Sequence, residues 1–99
     1  MKLAFVVCNE YIADEVLAML LACDIDYYTR WGHTTGKGHG TEPHLGKGAF
    51  GSTNMVLMIG FQKEAPLHAL VGKIKTFNAQ TPRHDDHVRL FQLPLEEIV

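Results

Sequence analysis

The residues best equipped for chemistry crowd into one stretch of this 99-residue chain, 32–52, which holds seven of its nine glycines and three of its six histidines. Within it, the run Gly36-Lys37-Gly38-His39-Gly40 combines a cation with a backbone free to adopt positive φ and approach a ligand closely. Lys37 and Lys47 could meet an anion, and successive amides in such a turn form an anion-binding nest. No helix N-terminus follows directly, as a phosphate-binding loop requires, so a plain surface loop is the competing reading. Loops of this length are uncommon in compact domains and are usually functional or mobile, and this one is expected to be mobile without ligand. The same stretch offers a second chemistry. His33, His39 and His44, with Glu42, supply imidazole and carboxylate groups suited to zinc, copper or nickel, at spacings that match no defined zinc motif.

Outside this stretch the candidates thin out. His84 and His87 flank Asp85-Asp86 in what reads as a solvated polar turn, and His68 sits among helical apolar residues. Cys8 and Cys23 lie in apolar runs and read as buried free thiols rather than as a disulfide or metal ligands. The sequence has no nucleophile elbow and no evident triad, and its paired acids Glu96-Glu97 stand at the C-terminus, so an enzyme is not expected. A net charge of −2 without a basic face argues against nucleic acid. No apolar segment approaches the roughly 20 residues that a membrane helix needs, and Leu3–Cys8 is too short for a signal-peptide core. The expectation is a cytoplasmic protein with no membrane insertion.

The elements that must position these groups are legible from periodicity. Leu3–Cys8 reads as a buried strand, and Ile12, Val16, Leu17, Leu20 and Leu21 follow at helical spacing behind Asn9 as N-cap. Tyr27–Trp31 has strand composition, then comes the long glycine-rich stretch, then a strand over Asn54–Phe61. Pro66 suits the first turn of a helix, whose face is lined by Leu67, Leu70, Val71, Ile74 and Phe77. After the polar turn Thr81–Asp86, Val88–Leu93 reads as the last strand. The order is βαββαβ, which predicts an α+β ferredoxin-like sandwich with an antiparallel sheet and two helices on one face. Strands one and three are apolar on both sides, so the helix-free face invites subunit packing.

Three short motifs carry a family resemblance. Lys37-Gly38-His39 followed by Thr41-Glu42, then Lys47-Gly48-Ala49, then Ala79-Gln80-Thr81 resemble the K-G-H-T-E, R-G-A and A-Q-T of the nitrogen-regulatory PII signalling proteins. Together with the element order, the likeness spans most of the chain. It implies one PII-like domain over 1–99, with 32–52 as its T-loop-like segment. It also implies a homotrimer whose intersubunit clefts bind adenine nucleotides, sometimes with 2-oxoglutarate and magnesium. The loop would engage a partner protein, such as a transporter or an enzyme. Gly36, Lys37, Gly38 and Thr41 become the ligand contacts on this reading, with Arg83 and Arg89 supplying charge.

The departures are specific. The family's glycine-rich G-K-I-G-D-G-K stretch is here Pro82-Arg83-His84-Asp85-Asp86-His87-Val88, with no glycine, so backbone amides cannot wrap phosphates in the family manner. Phe50-Gly51 stands where the family carries a modifiable tyrosine, and the family's C-terminal arginine-bearing segment has no counterpart before Val99. The resemblance therefore points to a divergent PII-like sensor or regulatory protein with an altered, small anionic ligand. The alternatives are a metal-binding PII-like or CutA-like trimer that uses the loop histidines, and an interaction module with no ligand.

Overall fold

The computed structural model describes residues 1–37 and 53–99. Six main elements follow one another: β1 (Lys2–Asn9), α1 (Ala13–Ala22), β2 (Thr29–Thr34), β3 (Asn54–Phe61), α2 (Glu64–Ala79) and β4 (Arg89–Pro94). The strands form a four-stranded sheet in the order β2-β3-β1-β4, every neighbouring pair antiparallel. This is the expected α+β ferredoxin-like βαββαβ arrangement.

The core follows from the two-residue period of the central strands. Ala4, Val6 and Cys8 of β1 stand opposite Ile59, Leu57 and Met55 of β3, and all six are buried. Val16 and Leu20 of α1 and Leu67, Leu70 and Ile74 of α2 close over them in one cluster. Both helices therefore cover the same face. The alternate residues point the other way. Leu3, Phe5 and Val7 of β1 pair with Gly60, Met58 and Val56 on one side and with Leu93, Phe91 and Arg89 on the other. Trp31, Phe91 and Leu93 on this helix-free face are 45%, 55% and 49% exposed.

Helix α1 ends where the chain can turn back into the core. Asp24 takes φ 59°, Ile25 N–H donates to Leu20 O at 2.9 Å and Asp24 N–H donates to Leu21 O at 3.0 Å. These two bonds form a Schellman cap, and the buried Leu20 and Ile25 are the apolar pair that accompanies it. At the other end of α1, the Asn9 side chain accepts from Tyr11 N–H at 3.1 Å. It caps a short 3₁₀ turn, Glu10–Ile12, rather than the α-helix itself.

The second strand departs from the expectation. The sequence places it at Tyr27–Trp31 and starts the loop at Gly32, yet β2 runs from Thr29 to Thr34, so Gly32 and His33 are strand residues. The reason is a side chain from elsewhere. The bulge between Trp31 and Thr34 puts His33 at φ 56°, and the Glu10 carboxylate holds it there. His33 N–H donates to Glu10 Oε1 at 2.8 Å, and Arg30 Nη2 pairs with Glu10 Oε2 at 2.9 Å. A Cβ at Gly32 would lie 3.0 Å from Glu10 Oε1, so the clamp needs a small residue there. The last strand is also shorter at its start, because Val88 is occupied otherwise. Its N–H donates to Asn78 Oδ1 and its carbonyl accepts from Asn78 Nδ2, both at 2.8 Å, which ties the start of β4 to the end of α2.

Both clamps should be measurable in stability. The His33 amide, then the Arg30 guanidinium, hold the Glu10 carboxyl below its usual 4.5, so this clamp stabilises the fold above that pH and is lost as pH falls through the lowered folded value. Replacing Glu10 by Gln should cost roughly 1 kcal/mol at pH 7, and the gap in melting temperature from wild type should narrow as pH falls below 4.5. A gap that stays constant across that range would contradict the clamp. Removing the Asn78 side chain leaves two polar groups of the buried Val88 unpartnered, at about 1–3 kcal/mol each. Denaturant unfolding should show Asn78→Ala destabilised by about 2 kcal/mol or more, with Val88 N–H exchanging faster than in wild type.

Candidate functional site

One end of the sheet gathers the polar groups. Segment 34–37 leaves β2, β3 begins at Asn54, β1 ends at Asn9, and the turn before β4 crosses beside them. Thr34 Oγ1 donates to Asn54 O at 2.7 Å, and Glu10 N–H donates to Thr53 O at 2.8 Å, so the two stems of the 38–52 connection are held together. Gly36 is fixed by closeness rather than by flexibility. A Cβ there would lie 2.7 Å from Asn54 Nδ2, inside any normal contact distance.

Between these pieces opens a cleft of about 320 Å³. Its polar lining includes Lys37, Asn54, His84, Asp85, His87 and Arg89, and Val7, Val56 and Phe91 supply an apolar wall. The volume falls at the lower end of the range that small-molecule sites occupy, roughly 300–1,000 Å³. Because Val7, Val56, Phe91 and Arg89 belong to the helix-free face, the cleft runs directly into that apolar surface.

Of the sequence candidates for ligand contact, Gly36, Lys37 and Arg89 meet in this cleft. Arg83 does not line it; its guanidinium lies 3.6 Å from the Asp85 carboxylate, and Asp85 does line it. Gly38 and Thr41 lie outside the described residues, as do His39, Glu42 and His44 of the metal reading and the bulk of the loop expected to be mobile. His33 is exposed on the β2 bulge and does not line the cleft. Among the described residues, no three of the His, Cys, Asp and Glu side chains stand close enough to hold a metal ion.

The turn before β4 is the part that sequence reasoning undervalues. The run His84-Asp85-Asp86-His87 reads as a solvated polar turn. It forms a 3₁₀ turn, His84–Asp86, with His84 exposed and Asp85, Asp86 and His87 half-buried, and both histidines line the cleft with ring centroids 5.2 Å apart. His87 Nε2 lies 2.8 Å from Thr81 O, and because a carbonyl only accepts, Nε2 must carry the proton. His84 Nε2 lies 3.0 Å from Arg89 Nη2, and because a guanidinium only donates, this nitrogen must be the acceptor. The available signal was positional: by the resemblance, Pro82, Asp85 and His87 stand where the family's stretch has its three glycines.

Cys8 also lines the cleft, but its chemistry is muted. Burial first, and then the Glu10 carboxylate, push its thiol up to about 12, so it remains protonated and a poor nucleophile at neutral pH. Burial raises Cys23 as well. Both are free thiols, as the apolar runs around them indicate.

No protein-family profile matches this sequence. No curated protein matches it either. Solved structures do. CPII, a nitrogen regulatory PII-like protein from Thiomonas intermedia K12, bound to ADP, AMP and bicarbonate, superposes with a TM-score of 0.69 at 18% identity, over 93% of this chain and 84% of that one. Its complex with ADP and bicarbonate gives a TM-score of 0.69 at 15% identity over the same shares. A candidate PII-like signaling protein from Thermus thermophilus gives 0.57 at 17% identity, over 93% of this chain and 82% of that one. The chain thus has the fold of the PII-like signalling proteins.

Proposed function

We propose that this chain is a divergent PII-like sensor or regulatory protein rather than an enzyme, acting as a single domain over 1–99. On this reading it is a homotrimer that binds a small anionic ligand, an adenine nucleotide, in clefts between subunits. The 32–52 segment then carries the bound state to a cytoplasmic partner protein. The observation that carries the reading is the cleft itself. It brings Gly36, Lys37 and Arg89 together at the root of that segment and opens onto the apolar helix-free face. Cations at one end suit phosphate, and Phe91 with Val7 and Val56 suits a base or its sugar. The CPII structures, which hold ADP and bicarbonate on the same fold, support this choice of ligand class. Among the described residues no helix is long and apolar enough to cross a membrane.

The glycine-free turn sets the manner of recognition. With Asn78, His87 and Thr81 fixing residues 81–88, charge must come from side chains rather than from a wrapping of amides. Titration calorimetry with AMP, ADP and ATP tests this. Lys37→Ala and Arg89→Ala should each weaken binding about tenfold or more, since a charge-assisted contact contributes about 1.5–3 kcal/mol. Arg83→Ala should change it less than about threefold, as exposed ion pairs contribute little. Absence of heat with all three nucleotides would sink the nucleotide reading.

Assembly gives a separate check. Light scattering should return about three times the 11.1 kDa chain mass, and Leu93→Glu, which places a charge on the apolar face away from the cleft, should shift the protein towards monomer. A wild-type mass of one chain at micromolar concentration would remove the basis for clefts between subunits.

A further inference from the structure

We propose that Glu10 is a positioning residue for the cleft: by holding the bulge of β2, it sets the register that brings Thr34, Thr35, Gly36 and Lys37 into the lining. The inference rests on the reading of the cleft as a ligand site and names what aims one of its walls. Between Trp31 and Thr34 stand Gly32 and His33, whereas between their partners Val56 and Asn54 stands only Met55. That extra residue decides the faces. Opposed residues of an antiparallel pair share a face, so Trp31 goes with Val56 to the helix-free side. Arg30, opposite the buried Leu57, goes to the covered side. Strict alternation would send Thr34 to the covered side with Arg30. The bulge returns it to the helix-free side, opposite Asn54.

A bulge of this form needs a holder, because φ 56° at His33 is costly for a residue with a Cβ. Glu10 supplies it through three contacts. Its Oε1 accepts from His33 N–H at 2.8 Å, its Oε2 pairs with Arg30 Nη2 at 2.9 Å, and its own N–H donates to Thr53 O at 2.8 Å. The side chain thus grips β2 while the backbone grips the residue before β3. Gly32 leaves the room for this, since a Cβ there would lie 3.0 Å from Oε1. Just inside the clamp, Thr34, Asn54 and Asn9 form the last rung across β2, β3 and β1, and all three line the cleft. Glu10 itself does not line it.

With the bulge relaxed, His33 would take the place of Thr34 opposite Asn54, and each residue after it would shift by one position and change face. The Thr34 Oγ1–Asn54 O bond and the close seat of Gly36 against Asn54 belong to the bulged register and go with it. Lys37 would then leave the lining that it shares with Arg89. The sign of the effect separates this role from a role through charge. A carboxylate near an anion site opposes the anion, so removing it should strengthen binding if charge alone matters. Removing a carboxylate that aims Lys37 should weaken it.

The test uses the full chain and two readouts. Proton–proton NOE spectra read the register without any ligand. Wild type should show cross-strand contacts between Thr34 and Asn54, and Glu10→Ala should lose them while the Ala4–Ile59 contacts of the central strands persist. If Glu10→Ala loses both sets, Glu10→Asp takes its place, because its carboxylate falls one methylene short of His33 N–H. Calorimetry with ADP reads the consequence. Glu10→Ala should weaken ADP about tenfold, the worth of the Lys37 contact it positions. Glu10→Gln keeps an acceptor for His33 N–H and should recover wild-type affinity to within about threefold, since the exposed ion pair it loses contributes little. In Lys37→Ala protein the same Glu10→Ala change should alter affinity by less than about twofold, because the two residues act through one contact. Thr34–Asn54 contacts that survive in Glu10→Ala, tighter or unchanged ADP binding, or an undiminished loss in Lys37→Ala would each overturn the proposal. If wild type takes no ADP, the nucleotide reading falls, and the register then decides alone: loss of the Thr34–Asn54 contacts keeps Glu10 as the positioning residue, and their survival removes it.

Discussion

A sheet whose two central strands are apolar on both sides can hide only one of its faces beneath two helices. In this chain Ala4, Val6, Cys8, Met55, Leu57, Ile59 and Phe61 take the covered face, and Leu3, Phe5, Val7, Val56 and Met58 are left on the other, with Trp31, Phe91 and Leu93 beside them. At about 25 cal/mol per Å² of apolar surface, a face of this kind favours being covered by further apolar surface. The position of the cleft follows from that constraint. Its apolar wall is the end of the uncovered face, so whatever covers the face also shapes the cleft.

The polar end of the cleft is built by a different device. A glycine-rich turn recognises phosphate with amides, which needs a backbone able to curl around the ligand. Here residues 81–88 are instead pinned by side chains: Asn78 brackets Val88 with two hydrogen bonds, and His87 reaches back to Thr81 O. A pinned backbone gives up the amide wrapping, and His84, Asp85 and Arg89 line the cleft with their side chains. On the opposite wall, the Glu10 clamp on the β2 bulge and the Thr34–Asn54 bond hold the stem that carries Gly36 and Lys37. Both walls are therefore ordered by polar contacts between residues distant in sequence, while the floor is ordered by apolar packing.

That division explains what could be read from the sequence. The strands and helices were legible because their side chains repeat at two or at about 3.6 residues, and β3 matches its expected span, Asn54–Phe61, at both ends. Lys37 and Gly36 stood out by composition, and Arg89 through the family comparison of the turn. The β2 extension was not legible, since it depends on a carboxylate 23 residues earlier accepting from His33 N–H. The roles of His84 and His87 were hidden for the same reason. A His-Asp-Asp-His turn reads as solvated, and its place beside the cleft shows only once Thr81 O and Arg89 are seen against its ring nitrogens.

Asp85 is the residue that looks out of place, a half-buried carboxylate in a cleft assigned to an anion. Its neighbour resolves the conflict. Arg83 lies 3.6 Å away, outside the cleft lining, and sets a cation beside that carboxylate. Arg83 and Arg89 thus act differently although both lie in the turn before β4 or at its edge. Arg89 lines the cleft, whereas Arg83 lies outside its lining beside Asp85. The cleft lining thus holds two cations, Lys37 and Arg89, together with the Asp85 carboxylate of the turn. By charge alone, such a lining suits a small negative charge better than a larger one, which the carboxylate would repel more strongly.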